Sequence, residues 1–333
     1  LIGQRGAATS ISQPLGLFEI PITRVSNYCC TGMESVRMAA ISILSGLYDI
    51  VLAVGAEKMR EVGSRESLIH GAHNAGHPFL KKGYTGPGLF ALVGNRYFHT
   101  YGITREHLAM VAIKNHHNGS LNPKAHFQME VDMDRVLGAP LVAYPLGRLD
   151  CCPTTDGASA VILTRSELAR RFREDPIFIK GMGLNVGSEM NVFDREFDFL
   201  GFRPTRLAAQ EAYRQAGIKV PRKEIDVAEI HDCFTITEIV DYEDLGFCGR
   251  GEGGNLIMEG LTTLEGDLPV NTSGGLKSYG HPIGATGVRM IHDIYKQLQG
   301  KAGPRQIKNA EIGLAHTLGG PGAIGCVFIL GNR

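Results

Sequence analysis

Cys29 stands where the β-type run Ile22-Thr23-Arg24-Val25-Ser26 gives way to a helix that opens near Thr31-Gly32. A thiol at a helix N-terminus feels the positive end of the helix dipole and unpaired backbone N–H groups, and both favour the thiolate. Such a sulfur is a candidate nucleophile. The competing reading makes Cys29 and Cys30 small buried hydrophobes, the usual fate of free cysteine. A candidate base is His281, in the stretch Ser273-Gly274-Gly275-Leu276-Lys277-Ser278-Tyr279-Gly280-His281-Pro282. Its glycines let backbone approach a ligand, Pro282 stiffens the chain beside the imidazole, and an imidazole so held can accept a thiol proton. A loop histidine bonded only for structure would look the same. A phosphate cradle is a further reading, although Gly275-Leu276-Lys277-Ser278 lacks the Walker spacing. A third group, His231-Asp232-Cys233-Phe234, follows the apolar run 225–230, at a strand end where ligands of α/β proteins usually bind. Alternation would send His231 and Cys233 to one side, and Asp232 would cap the helix expected over 234–242.

Two other patterns carry less. Gly320-Pro321-Gly322-Ala323-Ile324-Gly325 satisfies GxGxxG but leads into a strand-like run and the chain end, with no helix to receive a pyrophosphate. His70, His73 and His77 are closely spaced, yet the Gly and Asn around them offer no helix to align them and no carboxylate to orient them, so no metal site is expected.

The elements that must position these residues alternate. Strand-like runs at 22–26, 50–54, 158–163, 225–230 and 323–330 are interleaved with helical stretches such as 32–46, which predicts α/β layers. Between 60 and 145 the text turns to Gly-, His- and Asn-rich loops around helical segments at 88–101 and 105–115, which reads as an insertion over a site. The halves echo each other: Thr31-Gly32 and Thr286-Gly287 each open a helix, and each half closes on an apolar strand. Chance likeness of composition would produce the same matches.

The 333 residues, 43% of them hydrophobic, suffice for one large domain or two smaller ones. Lys plus Arg balance Asp plus Glu at 34 each, so no global field favours nucleic acid or an anionic membrane. The longest apolar runs are strand-length. Seven cysteines without CxxC spacing point to a reducing, cytoplasmic setting rather than disulfides or zinc.

Taken in order, these motifs resemble the thiolase family, in the branch of acetyl-CoA acetyltransferases and sterol-carrier thiolases. Cys29-Cys30-Thr31-Gly32 matches the nucleophile motif CxSG or CxTG, His231-Asp232-Cys233-Phe234 the HDCF block that replaces NEAF, and Gly280-His281-Pro282 the GHP motif. His316-Thr317-Leu318-Gly319-Gly320 falls where other thiolases carry CxGG. The resemblance implies two βαβαβαββ halves in five α-β-α-β-α layers, over 1–165 and 176–333, with a CoA-covering loop domain at about 60–145. It implies that Leu1 lies inside the first half, so that a leading segment of about 50–60 residues is absent and the chain alone should fold poorly.

It further implies acyl transfer through Cys29 with His281 as base, His231 at the thioester oxygen, and CoA as substrate rather than as a bound cofactor. Residues Gly319, Gly322, Ser273, Gly274 and Cys152 would contact the CoA ester. The second acid/base of other thiolases is a cysteine in the last motif. His316 stands there, so the role is expected to move to Cys233, leaving His316 to shape the pocket. Segments 61–84 and 186–203 are expected to line the acyl end. A homodimer or homotetramer is implied, with a small OB-fold or zinc-ribbon protein as a possible companion. A ketoacyl or hydroxymethylglutaryl-type synthase, or a retro-aldol or scaffold subunit, would share the core; Pro282 and the HDCF block favour the thiolase, and retention of Cys29 disfavours the subunit.

Overall fold

In the computed structural model, residues 9–63, 66, 85–187 and 194–333 are described. The principal helices and strands are α1 Thr31–Leu44, β1 Ile50–Glu57, α2 Gly86–Tyr101, α3 Arg105–Ser120, β2 Gly157–Thr164, β3 Phe178–Val186, α4 Arg203–Ala216, β4 Val227–Glu229, α5 Thr235–Asp244, α6 Gly275–Tyr279, α7 Ile283–Leu298, β5 Ile312–Gly319 and β6 Ile324–Gly331. Their ends carry expected signals: the Thr85 hydroxyl accepts the Gly88 N–H to start α2, and Gly102, with φ 71°, stops it.

Two sheets form. β1 and β2 pair antiparallel, from Ile50 opposite Thr164 to Glu57 opposite Gly157. The second sheet runs β3-β6-β5-β4, with β4 parallel to β5 and the other pairs antiparallel. Every residue of β6 is buried, as expected of a strand covered on both faces. Helices α1 and α7 pack together between the sheets, while α4 covers β3 and β6 from the far side. On the outer face of the first sheet no helix packs among the described residues, and Ile162 stays exposed.

The echo between the halves has a physical counterpart here. A Cβ on Gly32 would lie 2.9 Å from the Gly284 carbonyl oxygen and from the Gly287 N, and one on Gly287 would strike the Met33 backbone. The two helices expected from matching Thr-Gly pairs therefore cross backbone to backbone, at a separation only glycine permits.

One expected strand is absent. Residues 22–26 run extended without a sheet partner among the described residues, and Ile22 is exposed. β propensity alone does not make a strand where no neighbouring edge accepts its hydrogen bonds. Helix α3 also continues five residues beyond its expected end at 115.

Helix α5 is buried along its whole length although it carries Glu238, Asp241, Glu243 and Asp244. Buried carboxylates require partners. Lys114 meets Glu238, Arg206 and Arg250 meet Asp244, and the N–H groups of Gly251 and Gly253 donate to Glu243. The inserted helix α3 is thereby tied to the second half through Lys114.

Candidate active site

The turn before α1 presents Cys29. Tyr28 adopts φ 49°, the Cys30 N–H donates to the Asn27 carbonyl at 3.0 Å, and the Thr31 N–H to that of Tyr28 at 3.1 Å. The Thr31 hydroxyl closes the loop by accepting the Asn27 N–H at 2.7 Å and donating to the Tyr28 carbonyl. The two vicinal thiols part ways here. Cys30 is fully buried and its thiol donates to the Thr317 carbonyl at 3.2 Å. It is the small core hydrophobe, whereas Cys29 remains partly accessible.

Burial pushes the Cys29 thiol up to about 11, only partly offset by the N–H groups of Gly320 and of Cys29 itself, which reach the sulfur. The expected lowering by the helix terminus is thus outweighed, because withdrawal from water disfavours the charged form more than the local dipoles favour it. The thiol rests neutral. Those two N–H groups form a pair of donors suited to an oxyanion.

His281 lies within reach. One ligating atom each of Cys29, His231 and His281 lie within 4.8 Å of one another. The His281 Nδ1 is 2.8 Å from the Thr286 hydroxyl oxygen, whose own proton goes to the Pro282 carbonyl at 3.0 Å. The hydroxyl must therefore accept, so Nδ1 carries the hydrogen and Nε2 is a free acceptor. That buried Nε2 has no hydrogen-bond partner within the protein. Burial, reinforced by the Arg289 guanidinium, depresses the imidazole to about 3, so it too rests neutral. His231 meets His281 edge to face, with ring centroids 5.3 Å apart and planes at 85°, and burial followed by the neighbouring His281 and His316 lowers its basicity. The three side chains are also the group among the described residues whose atoms converge closely enough for a metal ion. No fourth described side chain joins them to close a tetrahedral site.

Cys233 is buried and lies outside the 4.8 Å cluster of Cys29, His231 and His281. The Cys152 N–H donates to the Cys233 carbonyl at 2.9 Å, and burial, with the nearby thiols, raises the Cys233 thiol well above its ordinary range. Cys152 is likewise raised by burial. The final Gly-rich loop folds over the nucleophile turn: a Cβ on Gly319 would lie 3.2 Å from that of Tyr28, and one on Gly322, at φ 83°, would strike the Phe202 ring.

The remaining expected residues lie elsewhere. His316 projects from β5 toward the outer helices, its Nε2 3.1 Å from the Thr205 hydroxyl and its Nδ1 3.6 Å from Asp241. Ser273 and Gly274, expected against CoA, are internal. The Ser273 hydroxyl and N–H both donate to Glu229, and Gly274 closes against the Gly119 backbone of α3. Asp232 does not cap α5, which starts from Phe234 without a side-chain cap; it accepts from α6 instead. His70, His73 and His77 and most of the expected acyl-lining segments fall outside the described residues. A cavity of about 490 Å³ reaches Pro282 but is lined by Lys124, His126, Asp156, Arg289 and His292 rather than by Cys29 or its two imidazoles.

Sequence reasoning missed Thr286, Gly320 as the individual donor, and the pair Lys114-Asn115. Thr286 was legible as a hydroxyl in the first turns of the helix that follows His281. The others depend on contacts across more than a hundred residues.

Comparison with known proteins agrees with this geometry. Residues 3–167 match the family model for the thiolase N-terminal domain, and residues 186–332 that of a thiolase C-terminal domain-like unit. The chain is 41% identical over 328 residues to an acetyl-CoA acetyltransferase of Methanothermobacter thermautotrophicus, covering 98% of this chain and 84% of that protein. It is 35% identical to sterol carrier protein 2 of Bos taurus, over 97% of this chain and 60% of the relative. A solved structure described as an Ltp2-ChsH2(DUF35) aldolase superposes with a TM-score of 0.84 at 25% identity, covering 100% of this chain and 85% of that one. The chain belongs to the thiolase family.

Proposed function

We propose that the protein cleaves a 3-oxoacyl-CoA with CoA, or runs the reverse Claisen condensation, through an acyl thioester on Cys29. The observation that carries this reading is the convergence of one atom each of Cys29, His231 and His281 within 4.8 Å, with an Nε2 on His281 that has no partner within the protein. Nε2 takes the thiol proton as sulfur attacks the keto carbon, so the ion pair forms during the reaction rather than before it. The Cys29 and Gly320 N–H groups hold the oxyanion. The departing enolate is stabilised by His231 and the newly protonated His281, and Cys233 protonates it. CoA then attacks the acyl-Cys29 thioester, Cys233 taking its proton, and the Cys29 sulfur leaves and recovers its proton from His281. Cys152, whose N–H donates to the Cys233 carbonyl, would contact the CoA ester beside it. His316 supports from outside.

The relatives named acetyl-CoA acetyltransferase support this over an aldol cleavage, as does the retained nucleophile with its two N–H donors. Seven free thiols suit a reducing cytoplasm, and among the described residues no helix is long and apolar enough to cross a membrane. Exposed Leu17, Phe18, Ile20 and Ile22, just before the nucleophile turn, suit a homodimer or homotetramer. A small OB-fold or zinc-ribbon companion is supported by the DUF35 partner named in the similar structure.

A thiolysis screen with acetoacetyl-, longer 3-oxoacyl- and aromatic 3-oxoacyl-CoA esters tests the activity. CoA-dependent cleavage of at least one is expected; cleavage of none by folded protein overturns the proposal.

A further inference from the structure

The two catalytic imidazoles come from segments fifty residues apart, and one buried carboxylate joins those segments. Asp232, immediately after His231, is fully buried. Its Oδ1 accepts the Leu276 N–H at 2.6 Å, and its Oδ2 accepts the Lys277 N–H at 3.1 Å and the Asn115 amide at 2.8 Å. Leu276 and Lys277 lie in the first turn of α6, whose N-cap Gly274 has no side chain to satisfy them. Asp232 thus supplies from a distant segment the cap that α6 lacks. The far end of α6 is Gly280, and the next residue is His281. Gly275 is glycine for the same reason, since a Cβ there would collide with the Asp232 carboxylate.

The carboxylate is itself oriented. The Asn115 amide nitrogen bridges it to Glu238 Oε2 at 2.7 Å, and Asn115 is fully buried on α3. Glu238 is held in turn by Lys114, Tyr242 and the Asn271 amide. Three donors on Asp232 favour the ionised, acceptor-only form. Lys114 supplies the compensating charge. Burial and then Glu238 push Asp232 up to about 7, so the arrangement depends on those donors staying in place.

We propose that Asp232 is a positioning residue that sets the separation of His231 and His281, and that Asn115 of the inserted helix orients it. The inference rests on the acyl-transfer reading above. Asp232→Asn keeps one acceptor oxygen but sets an NH2 against the donors on the other, so α6 loses part of its cap and His281 shifts relative to His231. Asn115→Ala removes a single donor and keeps the backbone pairing. A misplacement near 1 Å can cost about 10²-fold in rate.

The test compares both variants with wild type in thiolysis, scored as kcat and KM separately, and in the rate of Cys29 alkylation by iodoacetamide across pH, with circular dichroism to confirm the fold. Asp232→Asn is expected to lower kcat by about 10²-fold and Asn115→Ala by about 10-fold, with KM changed less than about three-fold and a shifted alkylation profile. Should Asp232→Asn fail to fold, Asn115→Ala decides. Unchanged kcat and alkylation in folded variants, or losses confined to KM or thermal stability, overturn the proposal. His281→Ala is the control: if it leaves thiolysis intact, the acyl-transfer reading fails instead.

Discussion

His281 donates its Nδ1 hydrogen to the Thr286 hydroxyl over 2.8 Å, and that contact leaves Nε2 as the free acceptor of the ring. Replacing Thr286 with valine keeps the volume and removes the acceptor. The imidazole can then take either tautomer, and turnover is expected to fall by about 10- to 10²-fold with little change in KM. Steady-state kinetics of Thr286→Val check this. An unchanged kcat would show that the tautomer is set by something else.

Both members of the Cys29–His281 pair rest neutral, the thiol at about 11 and the imidazole at about 3. The sign follows from burial, which raises an acid and lowers a base. Without substrate, alkylation of Cys29 should therefore keep accelerating as pH rises from 7 toward 11. A plateau already reached near pH 5 would instead reveal a preformed thiolate–imidazolium pair.

Cys233→Ala and His316→Ala separate the two candidates for the second acid/base. The buried Cys233 thiol feels the charge of Cys29, whereas His316 faces Thr205 and Asp241. Cys233→Ala is expected to lower turnover by about 10²–10⁴ while trace acyl-Cys29 still accumulates. His316→Ala should be milder and act chiefly on stability, because it removes a fully buried side chain and its contact with the Thr205 hydroxyl. Near-normal turnover for the first with abolished turnover in a folded second would reverse the roles.

Much of this site was legible in residue types. Cys29 and His281 stand at chain punctuation, just before Thr-Gly and between a Gly-rich loop and proline, and these turns form although the strand expected over 22–26 does not. The Thr-Gly echo pointed to two similar halves around a shared core, and the helices it marks, α1 and α7, pack together there, although their close crossing was not legible. The charge state of Cys29 was misread because burial is a tertiary quantity, and it outweighed the dipole that sequence could see. Ser273 and Gly274 misled for a related reason. Glycine signals close approach, but here the approaching group is Gly119 of the same chain. Asn115 stayed invisible because a polar residue on a helix ordinarily reads as solvent-facing.

The Gly32–Gly287 crossing carries stability. Gly287→Ala forces α1 and α7 apart at the Met33 backbone, and a loss of about 1–3 kcal/mol is expected in chemical denaturation. A wild-type midpoint would show that the helices can separate freely.

Association should depend on the apolar stretch before the nucleophile turn. Mass in solution is expected to exceed that of one chain, and a Phe18→Glu, Ile22→Glu double variant should lower it. A stable, fully active wild-type monomer would refute the oligomer.

The central claim is the acyl group on Cys29. Brief incubation with an acyl-CoA that supports turnover, followed by acid quench, digestion and mass mapping, should place the acyl mass on Cys29 and lose it in Cys29→Ala. Acyl label confined to Cys30 or Cys233, or turnover that persists without Cys29, would contradict the account.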